Sequence, residues 1–241
     1  MQDKMKVEIW SDIMCPFCYI GKRNFEMALQ HFEHKNDIEV EWKSFQLDPS
    51  IPEEVKVRTD IYTFFANKKG MSVEEARNMH QNVIDYAQNS GLQFNFDILM
   101  VANSIKAHRI IQLATTKGLA NDVEEIFFQS YFVDGKDLGN IETLVELGSS
   151  VGLEKSEIEN ALADDSYLKA AVDDIGEAAN LGIDSVPYFV FNRKYAVQGA
   201  QPAHHMLEAL KQAYQDFKNN SEKPLQNLGS GESCSVDGDN C

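Results

Sequence analysis

"SDIMCPFC", residues 11–18, sets Cys15 and Cys18 three positions apart with Pro16 and Phe17 between them. A close thiol pair can form a structural disulfide, supply half a metal site, or act as a reversible redox switch. What flanks it narrows the choice. "KVEIW" (6–10) alternates apolar Val7 and Ile9 with polar neighbours and stops at Ser11-Asp12, the pattern of a short strand. From Cys18 onward Phe25, Leu29 and Phe32 recur at helical spacing, which predicts a helix through His31. "IEVEWKSFQL" (38–47) alternates again and is stopped by Asp48-Pro49 and Pro52. Strand, CxxC at a helix start, strand is a βαβ unit.

The chain then changes character. Ser72-Val73-Glu74-Glu75 is a capping box opening a helix that Ser90-Gly91 closes. "DILMVANSIKAHRIIQLATTKG" (97–118) predicts one long helix ended by Gly118. Further helices are expected from Asn121 through Phe127, Phe128 and Tyr131, over 140–152, and from Ser156. Strand signals return only at "VPYFVF" (186–191) and "YAVQGA" (195–200), a hairpin around Asn192-Arg193-Lys194, followed by a last helix over 203–218. After Asn219 the polar, Gly/Ser-rich composition predicts a flexible tail.

The expected fold is therefore α/β, a thioredoxin fold with a large all-helical insertion between its βαβ and ββα halves. The expected divisions are 1–50 for the first part with the CxxC, 51–171 for the insertion, 172–219 for the second part, and 220–241 for the tail.

Composition limits the partners. A net charge of -16 in 241 residues argues against a phosphate backbone as a ligand and reads as a soluble surface. A 43% hydrophobic content marks a globular chain, and no window approaches the ~18 apolar residues of a membrane span. The first residues lack the apolar core of a secretory signal, so a cytoplasmic protein is expected. Four cysteines are too few for a disulfide scaffold, and thiol pairs in a reducing compartment are catalytic, redox-sensing or metal-binding.

A dithiol switch needs one thiolate to attack a disulfide and a second thiol to resolve the mixed intermediate. At a helix start, unpaired backbone N–H groups favour a thiolate on Cys15, and Cys18 lies one turn on. Pro16 suits the first helical position. Phe17 offers a substrate an apolar face but no charge to tune the couple. Ordinary cysteines or half a zinc site remain alternatives. Zinc would recruit Cys234 and Cys241, which stand seven apart in the tail, wide for that metal; no metal and no cofactor are expected. Val186-Pro187 is the second constellation. In a thioredoxin fold a cis-proline faces the CxxC, and Pro187 is placed to supply it; a strand-initiating trans proline is the alternative.

"WSDIMCPFCYIGK" (10–22), "ANSIKAHRI" (102–110), "SVPYFVFNRKYAVQGAQP" (185–202) and the Cys-bearing tail together resemble the DsbA-like thioredoxin family, specifically its cytoplasmic FrnE-type branch. The resemblance implies a dithiol–disulfide oxidoreductase, with isomerase activity within its range. It makes Cys15 the nucleophile, Cys18 the resolving thiol and Pro187 the cis-proline, with Phe17 and Val186 against the substrate. Implied partners are protein or peptide disulfides and a thiol reductant or oxidant. Kappa-class glutathione transferases and hydroxychromene-carboxylate isomerases of the same superfamily carry serine where this chain has Cys15. Periplasmic relatives commonly hold a histidine inside the CxxC, so Phe17 implies a milder oxidant, a reductase or an isomerase. A kappa-type transferase and a non-catalytic peptide-binding or holdase module are the competing functions.

Several other residues have two readings each. His108 either faces the site or is a satisfied core or surface histidine. Asp12 either accepts the Cys18 proton or turns the strand end. Adjacent His204 and His205 should point apart on a helix. Phe127, Phe128, Tyr131 and Phe132 are expected in packing, with an apolar wall to a peptide groove as the alternative. Asp164-Asp165 and Asp173-Asp174 are expected on solvated helix faces. Cys234 and Cys241, expected as exposed thiols, form the candidate second redox pair that exchanges with the first.

Overall fold

A computed structural model describes residues 4–55, 58–219 and 225–236. Strand β1 (Met5–Ser11) is buried on both faces except at Lys6, and it pairs in parallel with β2 (Ile38–Ser44), Val7 opposite Val40 and Ile9 opposite Trp42. Helix α1 (Pro16–Gln30) is the crossover between them and packs Phe25 onto Phe189 and Phe191.

The other half of the sheet comes from the C-terminal region. Strand β3 (Ser185–Val186) leads through Pro187 into β4 (Tyr188–Phe191), which runs antiparallel to β1, and β4 turns back into β5 (Tyr195–Gln198). Asn192 and Arg193 both take positive φ, 50° and 56°, in the three-residue turn that reverses the chain between Phe191 and Tyr195. The five-stranded sheet has the order β2-β1-β4-β5-β6, with β6 (Gln226–Ser230) parallel to β5 at the edge. Helix α9 (Ala203–Lys218) packs beside α1 over the sheet.

Between the halves lie seven α-helices among the described residues: α2 (Ile61–Lys69), α3 (Val73–Gln88), α4 (Ile105–Lys117), α5 (Ala120–Phe132), α6 (Ile141–Ser150), α7 (Lys155–Ala163) and α8 (Asp165–Asn180). The capping box at Ser72 and Glu75 starts α3. This is the thioredoxin arrangement with a helical insertion.

Three expectations need correction. The helix expected from residue 97 begins only at Ile105. Ahead of it, residues near Met100 run extended beside Asp60, and the Asn103 carboxamide oxygen takes the Ile105 N–H at 2.8 Å, ending the irregular stretch. The supposedly flexible tail is docked over 225–236 as β6 and β7 (Cys234–Ser235), because β5 and β3 would otherwise offer unpaired edges. Asp174 is not on a solvated face; its carboxylate takes Lys43 Nζ, the Ser44 N–H and the Gln112 amide, and its carbonyl takes the Trp10 indole N–H. The expected join at 171/172 falls inside α8. No helix among the described residues is long and apolar enough to cross a membrane.

Candidate active site

Cys15 is the N-cap of α1, in extended backbone, with Pro16 as the first helical residue. Its N–H donates to the Asp12 carbonyl at 2.9 Å and its carbonyl accepts the Cys18 N–H at 3.1 Å, so the dithiol turn is closed on both sides. Both thiols are free, and both are buried: Cys15 is 0% exposed and Cys18 1%. The Cys15 thiol donates to the carbonyl of Val186 at 3.5 Å. The Val186–Pro187 bond is cis. Helix α1 approaches Pro187 closely enough that a Cβ on Gly21 would stand 2.8 Å from the proline Cγ, so glycine is required there. Burial pushes the Cys18 thiol well up, and the neighbouring Cys15 sulfur adds to this; the Asp12 N–H and the Ser11 hydroxyl oppose it. The pair is thus unequal: one sulfur at a helix start, the other held protonated beneath it.

Asp12 does the turning role. Its carboxylate accepts the Met14 N–H at 3.1 Å and the Leu47 N–H at 2.8 Å, fixing the redox turn to the segment after β2. His108 of α4 is buried, with Nε2 3.6 Å from the Asp12 carboxylate and neither ring nitrogen hydrogen-bonded among the described residues. Glu124 of α5 is buried in the same region with one carboxylate oxygen unpartnered among the described residues. Burial pushes its carboxyl up to about 8; Lys22 opposes the rise and Asp12 adds to it. Sequence reasoning missed Glu124, although its four- and seven-residue spacing to Phe128 and Tyr131 puts it on the apolar stripe of α5.

One turn further along α1, polar contacts fasten the insertion. Lys22, almost fully buried, reaches Glu125 of α5 at 2.6 Å and Glu26 at 2.5 Å; Arg23 and the Tyr19 hydroxyl also reach Glu125. Burial by itself would raise the Glu125 carboxyl, but Lys22, Tyr19 and Arg23 hold it below the usual carboxylate range. Tyr19 stacks on Phe128 with ring centroids 5.1 Å apart.

The insertion lends the site an apolar cleft. Met14 and Pro16 form one side, and Phe64, Phe96, Leu99 and Phe132 the other. Tyr131 and Phe132 therefore serve both readings, packing and cleft wall, whereas Phe127 and Phe128 are core. Phe17 is not in that lining; it is buried, edge-on to Tyr86 of α3. Val186 is also fully buried, and what it offers a substrate is backbone. Cys234 is fully buried and disulfide-bonded, not the exposed thiol expected; Cys241 lies outside the described residues. The His204 and His205 rings lie 4.2 Å apart instead of diverging, and no cluster able to hold a metal occurs among the described residues.

Residues 6–211 match the family model of the DSBA-like thioredoxin domain. The chain belongs to the DsbA-like thioredoxin family. Among solved structures it is similar to a probable DsbA oxidoreductase from Streptomyces coelicolor, with 37% identity, a TM-score of 0.82, and coverage of 88% of this chain and 91% of that one. The cytosolic disulfide reductase DsbM from Pseudomonas aeruginosa, solved with GSH, shares the fold at 15% identity and a TM-score of 0.60, over 90% of this chain and 100% of that one. An uncharacterized protein of Bacillus subtilis (strain 168), YwbO, is 27% identical over 162 residues, 67% of this chain and 73% of that protein. The DsbA-like family is one of thiol–disulfide oxidoreductases.

Proposed function

We propose that this DsbA-like protein is a cytoplasmic protein dithiol–disulfide oxidoreductase of the FrnE-type branch, with Cys15 as nucleophile and Cys18 as resolving thiol. The carrying observation is the asymmetry of the pair: Cys15 caps α1 and touches the Val186 carbonyl, while Cys18 is buried behind it with its thiol pushed up. The Cys15 thiolate attacks one sulfur of a substrate disulfide and expels the other as a thiolate. Cys18 gives its proton to the expelled thiolate and attacks the Cys15 sulfur, releasing the second substrate sulfur as a thiolate and leaving a Cys15–Cys18 disulfide. Two electrons pass from the dithiol to the substrate, and a thiol reductant restores the pair; run backward, a substrate dithiol attacks the Cys15–Cys18 disulfide and leaves as a disulfide, and a disulfide oxidant then re-forms the Cys15–Cys18 bond. The backbone at Val186-Pro187 aligns an extended substrate, and the cleft takes an apolar side chain of it.

Phe17 stabilises no thiolate, which favours reductase or isomerase work over strong oxidation. A couple near roughly -270 mV fits reduction and one near -120 mV oxidation. The cytosolic DsbM neighbour supports the assigned compartment. Cys234 and Cys241 serve as a second redox pair exchanging with the first; the register of Cys234 opposite Val186 supports this reading. Turnover of insulin disulfides and scrambled ribonuclease should disappear in Cys15→Ser; turnover retained there overturns the assignment. A trapped disulfide between Cys15 and a tail cysteine in Cys18→Ser is expected from the exchange, and its absence removes the second pair from the scheme.

A further inference from the structure

The nucleophile of this dithiol is 0% exposed, and the strand whose carbonyl holds its thiol pairs with the chain's own C-terminal segment. Strand β7 lies antiparallel to β3, with Cys234 opposite Val186 and Ser235 opposite Ser185. Val186 is the residue before Pro187 and the one whose carbonyl holds the Cys15 thiol. Ser235 reaches the rim of the apolar cleft together with Met14 and Pro16. A peptide that adds a strand to β3, the usual way an extended ligand engages an open sheet edge, needs the backbone groups that β7 already occupies.

The docking is built into both partners. The Gln226 N–H donates to Lys194 O at 2.7 Å, Gly231 N–H to Gln198 O at 2.8 Å, Ala200 N–H to Glu232 O at 2.7 Å, and Val236 N–H to Asp184 O at 3.2 Å. Gly199 has φ +77°, and a Cβ there would stand 2.3 Å from the Gly231 carbonyl oxygen, so the turn after β5 is shaped to let the tail backbone through. The ladder beside the dithiol is only two residues long, a clasp short enough to open without unfolding the sheet.

We propose that residues 231–236 are a built-in competitor strand: they hold the backbone position of the substrate beside Pro187, and a substrate peptide binds by displacing them. The competitor's identity rests on the oxidoreductase assignment; the strap over Cys15 does not. The protein as folded is accordingly closed, and its apparent affinity for peptide disulfides is reduced by the fraction of time the strap is seated.

The test uses the full chain. Gly231→Pro removes the N–H given to Gln198, and Gly231→Pro/Val236→Pro also removes the one given to Asp184; neither position touches the dithiol. With reduced protein at fixed pH, iodoacetamide alkylation of Cys15, followed by mass spectrometry, is expected to accelerate at least tenfold in the double variant and by less in the single one. KM for a peptide disulfide should fall in parallel with kcat little changed. Alkylation and KM both unchanged in the double variant would overturn the proposal. Faster alkylation without disulfide turnover in any form would leave the strap in place and remove the oxidoreductase assignment instead.

Discussion

Helix α4 presents two residues one turn apart, His108 and Gln112, to two buried acid-centred clusters of opposite character. At Gln112 everything is satisfied: the Asp174 carboxylate takes Lys43, Gln112 and the Ser44 N–H, and the Asp174 carbonyl takes the Trp10 indole N–H. At His108 the reverse holds. Both imidazole nitrogens and one oxygen of Glu124 lack hydrogen-bond partners among the described residues. A buried polar group left unmatched costs stability, so its presence is explained by chemistry more readily than by folding. The satisfied cluster joins the ends of β1 and β2 to α4 and α8; the unsatisfied one lies behind the dithiol. One helix face thus serves a joint and a reaction.

The largest effect is expected at Glu124. Its carboxyl is raised to about 8 in the folded chain, from an ordinary value near 4.5 when unfolded. Across that window the native state keeps a proton that the unfolded state has lost, so Glu124 lowers stability as pH climbs from the lower value to the higher. Glu124→Gln removes the titration. The variant should gain on the wild type between pH 4.5 and 8, by on the order of 5 kcal/mol when complete, in urea unfolding curves taken across the range. Parallel curves at every pH would mean that Glu124 is not buried as a protonated acid.

Asp174 should behave in the opposite way. Asp174→Ala leaves the Ser44 N–H and the Gln112 amide without their acceptor, while Lys43 keeps Glu41 and Glu177, and is expected to cost about 2 kcal/mol in urea unfolding, with turnover per folded molecule unchanged. Loss of turnover without loss of stability would move this cluster into the chemistry.

The smallest expected stability change is at His108. His108→Leu replaces an unpartnered imidazole with an apolar group of similar size and should shift unfolding by no more than ~1 kcal/mol. Turnover of a peptide disulfide should nevertheless fall about tenfold, as for other groups that hold a reactive shell in place. Unchanged turnover would make His108 an ordinary core residue.

Much of this was legible in the sequence because short-range physics decides it. Period-two alternation marked β1, β2 and the hairpin, the capping box marked α3, and Pro16 after Cys15 marked the start of α1. The misplaced start of α4 arose because residues 99–103 are apolar enough to read as helix, while the deciding interaction, their extended run beside Asp60, is tertiary. The same holds for Asp174, whose partners come from β1, β2 and α4. The tail was misread for a related reason. Its polar composition cannot form a core alone, and its order comes from edges of β5 and β3 that only the folded sheet creates. Phe17 was assigned to the substrate by position, yet a helical residue after Pro16 points wherever the turn sends it, here to Tyr86.

The central claim is the division of labour between the two cysteines, and trapping tests it most directly. Cys18→Ser and Cys15→Ser proteins, incubated with a peptide disulfide and resolved by mass spectrometry without reductant, should differ completely. Cys18→Ser should accumulate a mixed disulfide through Cys15, because no second thiol remains to resolve it. Cys15→Ser should accumulate none, because burial pushes the Cys18 thiol well up and it lacks the helix-start position that Cys15 holds. An adduct through Cys18 in Cys15→Ser, with none in Cys18→Ser, would contradict the account.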